Sequence, residues 1–324
     1  MKESPLFWPA AIKNDTLWVL DETQIPQRKI YLPVKNTKEA VKVIREMKTR
    51  AFGQFLVVLN TFLLELNREN NGGAYSARLL NRLEKTAILL NNSRPTFPFS
   101  EVTSIVVGWA KKAYKDHANI REYVSKHIEG YLRGIRFRRQ TRVQEIASVI
   151  RDKDCILTHC NVSGELAMAA ALCQEQNKDV HFFATETRPY FQGAKLTVWE
   201  LKKMGADVTL VCDNAVGTLM ADRMINKVIV GSDRSCANGD FANKIGTYQI
   251  AVLAKHYKIP FFVLTQPSTK IKSGKDIPIE LRKPNELLTY EGTKIHPHAV
   301  NGFYPGFDIV PHELVSKSIP IQAY

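Results

Sequence analysis

Cys155-Ile156-Leu157-Thr158-His159-Cys160 is an apolar run of strand length, and residues 163–176 follow it with helical period. That pairing decides the fold, because it recurs. Apolar runs at 180–185, 208–212, 227–230 and 260–265 alternate with helical patterns at 194–204, 214–224 and 245–257. The runs are continuous Val, Ile, Leu and Phe, where a half-exposed strand would alternate apolar with polar. Continuous runs predict strands covered on both faces. Strand and helix in alternation predict an α/β fold with a parallel sheet and right-handed crossovers, a Rossmann-like domain.

Upstream the rhythm differs. Thr16-Leu17-Trp18-Val19-Leu20 and Lys29-Ile30-Tyr31-Leu32-Pro33-Val34 read as short strands. Thr37-Lys38-Glu39-Ala40 offers an N-cap and an early carboxylate for a helix through Lys48. Residues 55–67 are apolar almost all round, which predicts a buried helix, and Glu69-Asn70-Asn71-Gly72-Gly73 breaks it. Further helices are expected over 76–91 and 102–135. The expected organisation is therefore a smaller, mainly helical N-terminal domain with short strands (1–138) and a Rossmann-like catalytic domain (139–324). The Pro- and Gly-rich tail from Pro284 to Tyr324 is expected to wrap the sheet or pack on a partner.

Composition narrows the function classes. The 324 residues are 44% hydrophobic and 24% charged, enough for a large core in two domains. No apolar run approaches the roughly 18 residues of a membrane span. The start, Met1-Lys2-Glu3-Ser4-Pro5, lacks the apolar stretch of a secretory signal, so the expected location is cytoplasmic. Five cysteines without a C-x-x-C read as reduced thiols, most of them core residues. The net charge of +13 is partly concentrated in Arg133–Arg142. That segment reads as a nucleic-acid footprint, a solvated basic linker, or a cationic rim for an anionic small molecule. No nucleic-acid motif accompanies it, which disfavours the first reading.

Polar and ionisable groups gather where the apolar runs stop, the edge at which open α/β sheets bind ligands. The first run delivers Thr158-His159-Cys160-Asn161, the second Thr185-Glu186-Thr187-Arg188-Pro189, the third Asp213-Asn214, and the fourth Gly231-Ser232-Asp233-Arg234. Cys160 and Asp233 thereby form a candidate acid–base pair. Cys160 precedes the 163–176 helix, whose N-terminus lowers a thiol pKa. Asn243-Lys244 opens the 245–257 pattern, and a lysine at a helix N-terminus suits a phosphate. No G-x-G-x-x-G follows a strand, so no dinucleotide cofactor is expected. His296, His298 and His312 read as surface-loop histidines, and no metal site is expected.

These segments carry a resemblance. Thr158–Asn161, Glu186–Leu201 (ETRPYFQGAKLTVWEL), Val230–Arg234 (VGSDR) and Asn238–Tyr248 (NGDFANKIGTY) are similar to the methylthioribose-1-phosphate isomerase family. That family shares a superfamily with ribose-1,5-bisphosphate isomerase and with the regulatory subunits of the exchange factor for translation initiation factor two. The similarity runs from about Leu20 to Leu314. It implies Cys160 and Asp233 as catalytic residues, with Ser232 replacing the family's alanine before Asp233. It implies substrate binding by Gln192, Asn243 and Lys244, by Arg94 in Ser93-Arg94-Pro95-Thr96, and by Arg50-Ala51-Phe52. The family usually reads Arg-Gly-Ala-Pro-Ala-Ile where this chain has Arg50-Ala51-Phe52-Gly53-Gln54-Phe55. Phe97 and Phe99 are further aromatic departures, and the loop after Cys160 is shorter than usual.

The implied reaction converts 5-methylthioribose 1-phosphate to 5-methylthioribulose 1-phosphate in methionine salvage, with no cofactor. A phosphate on C1 blocks the free aldehyde, so the ring must open with the phosphate attached. That needs an acid at the ring oxygen and a base for the C2 proton. Cys160 thiolate as base and protonated Asp233 as acid satisfy this; the spacing does not order the two. The aromatic departures leave 5-deoxyribose 1-phosphate and ribose 1,5-bisphosphate as alternative substrates. A non-catalytic regulatory subunit is the contrasting class, and the presence of both Cys160 and Asp233 argues against it. The partners implied are a small sugar phosphate and a second copy of the chain in a homodimer.

Overall fold

A computed structural model describes residues 2–68, 77–95, 97, 99–266, 270–290 and 292–321. The expected breaker at 69–73 and Thr96 lie outside them. The chain forms two compact units: Pro5–Phe137, and Met1–Ser4 with Arg138–Tyr324.

The N-terminal unit begins with β1 (Ala10–Lys13), β2 (Thr16–Leu20) and β3 (Tyr31–Val34), an antiparallel sheet in the order β1-β2-β3. Helix α1 (Thr37–Arg45) is capped one residue earlier than expected. Asn36 Oδ1 accepts from Glu39 N at 3.0 Å, and Glu39 Oε2 accepts from Lys35 N at 2.7 Å. Helix α2 (Ala51–Asn67) is buried along most of its length, and two of its polar residues are satisfied within the helix. Asn60 and Thr61 donate to the carbonyls of Leu56 and Val57 at 2.8 and 2.7 Å. Leu56, Leu59 and Phe62 join Leu17, Val19 and Ile44 in one core with α3 (Ala77–Asn91) and α4 (Phe99–Lys115). Each such aliphatic or aromatic side chain contributes about 1.5–3 kcal/mol on burial. The expected helical stretch at 102–135 is broken. Asn119 Oδ1 accepts from Glu122 N at 3.1 Å, an N-cap that starts α5 (Ile120–Val149) afresh. Helix α5 continues past the expected end, and from Arg138 its residues belong to the second unit.

The C-terminal unit holds β4 (Cys155–Thr158), α6 (Glu165–Glu175), β5 (His181–Thr185), α7 (Val198–Lys203), β6 (Asp207–Val211), α8 (Val216–Ala221) and β7 (Lys227–Gly231). There follow β8 (Arg234–Ser235), β9 (Phe241–Lys244), α9 (Thr247–His256) and β10 (Phe261–Thr265). The tail adds α10 (Asn285–Leu288), β11 (Thr289–Tyr290), β12 (Thr293–Lys294), β13 (Phe307–Val310) and β14 (Lys317–Pro320). Six strands form a parallel sheet in the order β14-β10-β7-β4-β5-β6. The chain runs outward from β4 to β6, then returns to lay β7 on the other side of β4. This is the Rossmann-like order, and it reverses between β4 and β7. Leu157, Val228, Val230, Phe261 and Val263 build the core against Ile250, Ala251 and Ala254 of α9.

Three expectations need correction. Strand β6 is an edge strand with one neighbour, so Leu210 is exposed despite its apolar run. The tail is integral to the sheets of this unit: β14 supplies the sixth parallel strand, and β13 pairs antiparallel with β9. The basic segment 133–142 is neither linker nor uniformly solvated. It lies within α5, and Arg139 and Arg142 are buried against Glu165. No described helix is long and apolar enough to cross a membrane.

Candidate active site

Cys160 and Asp233 follow two neighbouring parallel strands, β4 and β7, at the point where the strand order reverses. The strand ends approach closely because Gly231 has no side chain. A Cβ there would meet Val162 Cγ1 at 2.9 Å, with Asn243 Oδ1 at 4.0 Å. The loop after β4, the end of β7 and β9 therefore converge.

Cys160 is half-buried and has a left-handed backbone, φ 64°. Such a conformation costs a non-glycine residue about 1–3 kcal/mol and persists only when its surroundings hold it. Here the neighbouring segments do. Cys160 N donates to Thr187 Oγ1 at 3.0 Å, and Cys160 O accepts from Thr197 Oγ1 at 2.5 Å. Asn161 Nδ2 donates to Thr197 Oγ1 at 3.0 Å and to Glu200 Oε1 at 2.7 Å. Thr187 is itself left-handed, φ 62°, and its N–H and that of Arg188 donate to Asp213, each at 2.7 Å. Thr197 closes a π-helical turn, Gly193–Thr197, a form that recurs at functional sites. Gly193 is required in it: a Cβ would lie 1.7 Å from Thr185 O and 2.8 Å from Thr187 Oγ1. Gln192 precedes this turn, buried, and its Oε1 has no hydrogen-bond partner among the described residues.

His159 is not a base for Cys160. It is buried, and burial lowers its pKa, so the ring is neutral. Nε2–H donates to Ile245 O at 2.9 Å, and Nδ1 accepts from Thr185 Oγ1 at 2.6 Å. Both nitrogens serve the fold. Behind the Cys160 loop, Arg139 Nε and Arg142 Nη2 donate to the Glu165 carboxylate at 2.9 and 2.5 Å, and Arg139 Nη2 reaches Ser163 O at 2.7 Å.

Asp233 is exposed, its N–H donating to Ala242 O at 2.9 Å. Asn243 and Lys244 are buried in β9, not at the start of a helix. Helix α9 starts at Thr247 after the left-handed Gly246. Its N-terminus is already taken, because Asp308 Oδ2 accepts from Gly246 N at 2.7 Å and Tyr248 N at 2.9 Å. The expectation that Asn243-Lys244 opens the helix is thus corrected: the pair lies on a strand, and the helix end is occupied. Lys244 Nζ lies 4.6 Å from the Phe307 ring centroid, and Asn243 Nδ2 donates to Thr247 Oγ1 at 3.0 Å.

The structure places Cys160, Asp233, Gln192, Asn243 and Lys244 in the C-terminal unit, and Arg50, Ala51, Phe52 and Arg94 in the N-terminal one. Within the latter, the second set gathers at the start of α2. Arg50 is the N-cap residue and its N–H donates to Glu22 Oε1 at 3.2 Å. Arg94 Nη1 donates to Gln54 Oε1 at 3.0 Å, and its guanidinium lies 5.1 Å from the Phe97 centroid. Phe52 packs edge-on against Trp8 at 5.7 Å and stacks on Phe55 at 6.2 Å. Sequence reasoning missed the work of Thr197 and Asp308. Their partners lie tens of residues away, and no local pattern signals them.

Comparison with known proteins follows the same lines. The Initiation factor 2 subunit family matches residues 53–320. A methylthioribose-1-phosphate isomerase of Thermosipho africanus is 38% identical, the alignment covering 94% of this chain and 91% of that one. The crystal structure of 5-methylthioribose 1-phosphate isomerase from Pyrococcus horikoshii OT3 superposes with a TM-score of 0.85 at 29% identity, covering 97% of this chain and 91% of that one. Translation initiation factor eIF-2B subunit delta from A. fulgidus superposes with a TM-score of 0.84, also at 29% identity, covering 97% and 94%.

Proposed function

The chain belongs to the Initiation factor 2 subunit family, and within it we propose that this protein is a sugar-phosphate isomerase converting 5-methylthioribose 1-phosphate to 5-methylthioribulose 1-phosphate. The observation that carries the reading is the convergence of Cys160, Asp233 and Asn243-Lys244 at the reversal of strand order. A thiol and a carboxyl at that edge suit an acid–base proton transfer.

In this reading Asp233 delivers a proton to the ring oxygen as the C1–O bond of the ring breaks. Cys160 takes the proton from C2 and returns a proton to C1, while the C2 hydroxyl passes its proton to the Asp233 carboxylate as it becomes the ketone. The phosphate stays on C1 throughout. Lys244 and Asn243 hold the phosphate and Gln192 binds sugar hydroxyls, and Arg50 and Arg94 of the N-terminal unit are further substrate-binding residues. Asp233 is solvent-exposed, so its protonated form depends on the substrate shielding it from water. Ala51 and Phe52 bear on the 5-substituent. The packing of Phe52 with Trp8 and Phe55 supports an apolar methylthio group over a second phosphate.

Residues 1–138 and 139–324 act as two domains, the second catalytic. The exposed apolar side chains Leu210, Leu281 and Phe303 of the C-terminal unit support a homodimer formed there. Five free cysteines fit the reducing cytoplasm.

The test is turnover. The protein is incubated in heavy water with the 1-phosphates of 5-methylthioribose, 5-deoxyribose and ribose 5-phosphate, and the C2 proton signal is followed by NMR. The reading requires its loss with ketose formation for the methylthio sugar. Turnover of another sugar alone moves the substrate assignment. Silence with all three favours a non-catalytic subunit, as the likeness to subunit delta allows.

A further inference from the structure

Among the described residues, three buried side-chain oxygens of the C-terminal unit have no hydrogen-bond partner: Thr158 Oγ1, Gln192 Oε1 and Tyr304 Oη. Buried polar atoms are almost always paired, and one left unpaired is destabilising unless something completes it. These three border the same loop. Thr158 is two residues before Cys160. Gln192 adjoins Gly193, where a Cβ would lie 2.8 Å from the Thr187 hydroxyl that receives Cys160 N–H. Tyr304 meets the segment that carries Gln192 through Tyr190, two residues before it, their ring centroids 6.4 Å apart.

Tyr304 is also held firmly. Its carbonyl accepts from Arg282 N at 2.8 Å, and Gly306 N donates to Glu280 O at 2.8 Å, with Leu281 and Pro305 bridged between them. Three residues on, Phe307 pairs with Lys244 in the β13–β9 ladder. The Tyr190 ring sits 6.4 Å from that of Tyr304, and the Tyr190 hydroxyl is bound by Arg282. The ring of Tyr304 is thus fixed while its hydroxyl is unmatched. Such a rigid donor beside the reacting groups costs no reorganisation during reaction.

We propose that Tyr304 is a further substrate-contacting residue: its phenol O–H donates a hydrogen bond to the sugar oxygen on C2, the atom that becomes the ketone oxygen. The inference rests on the isomerase reading above. Electron density builds on that oxygen once the C2 proton has left, and the phenol stabilises it. Tyr304 keeps its proton throughout; the C2 proton goes to the Cys160–Asp233 couple and a proton returns to C1. Burial raises the phenol pKa, so the group remains a donor across the working range. Gln192 Oε1 supplies the complementary acceptor for a neighbouring hydroxyl.

Tyr304→Phe removes only the hydroxyl, and steady-state kinetics on 5-methylthioribose 1-phosphate read the consequence. The expected fall in kcat is about 100-fold, the scale of losing one fixed donor to a developing oxyanion, with KM little changed. The deficit is expected to be uniform between pH 6 and pH 9, on the order of the range in which a buried phenol stays protonated. Because the lost hydroxyl has no protein partner, Tm stays level or rises, which separates this role from a structural one. A Tyr304→Phe enzyme with kcat within about twofold of an active wild type overturns the inference and leaves the isomerase reading standing. A wild type that turns over none of the three sugar phosphates overturns the isomerase reading, and this inference with it.

Discussion

Glu165→Gln is the sharpest test of how the Cys160 loop is held. Glu165, Arg139 and Arg142 are 1%, 2% and 3% exposed, so three formal charges share a dehydrated site. The carboxylate accepts from Arg139 Nε at 2.9 Å and from Arg142 Nη2 and Nε at 2.5 and 3.3 Å. Arg142 Nη1 also donates to Thr265 O at 2.7 Å, tying α5 to the end of β10. An amide in place of the carboxylate turns one acceptor into a donor facing a guanidinium, and removes the negative charge that both buried cations bond to. Losing one charge-assisted bond costs about 1.5–3 kcal/mol, and breaking a buried ion pair about 3–5 kcal/mol. The larger range is the expectation, since both arginines bond to that one carboxylate.

The same group sets a pH dependence. Burial alone would raise the Glu165 carboxyl, but the Arg142 and Arg139 guanidiniums outweigh it and hold the group below the usual carboxylate range. A depressed folded pKa means the stabilisation is complete above the unfolded value, about 4.3. It is lost as pH falls through the folded pKa. Urea unfolding of wild type should weaken below about pH 4.3, and that part of the pH dependence should vanish in Glu165→Gln. A variant within about 1 kcal/mol of wild type with an unchanged acid limb would refute the reasoning, because a solvated pair has that small value.

Two further predictions concern backbone anchors. Thr187→Val removes the acceptor for Cys160 N and should cost about 1–3 kcal/mol of stability. It should also lower kcat at least tenfold while KM changes little, which steady-state kinetics and urea melts together check; an unchanged kcat excludes the anchoring role. Asp308→Ala strips the cap from α9 and should cost about 0.5–2 kcal/mol, read as a lower urea midpoint, with hydrogen exchange quickened at Gly246 and Tyr248.

How much of this was legible in the sequence depends on range. Continuous apolar runs predicted β4, β5, β7 and β10 to within a residue or two, because buried parallel strands must be apolar on both faces. The same rule failed for β6, which keeps an apolar run at an edge. Lys317-Ser318-Ile319-Pro320 carries only one buried aliphatic residue, so β14 gave no local signal. Strand β1 was likewise invisible. Asn243-Lys244 read as a helix start because the helical period follows directly. The partner that corrects this, Asp308, lies far along the chain and pairs with Asn243 only through β13. Cys160 and Asp233 stood out because ionisable groups at strand ends are a local pattern. Arg50 and Arg94 became visible only through the family resemblance. The arginines at 139 and 142 looked like surface charge until Glu165, on another helix, was placed against them.

The central claim is that Cys160 and Asp233 carry the proton transfer. Cys160→Ala and Asp233→Asn, each shown by circular dichroism and urea melts to be folded, are assayed beside wild type for conversion of 5-methylthioribose 1-phosphate in heavy water. Removal of a positioned acid or base costs about 10²–10⁴ in rate, so both variants should lose measurable turnover while still binding the substrate. Appreciable loss of the C2 proton signal in either folded variant would contradict the account.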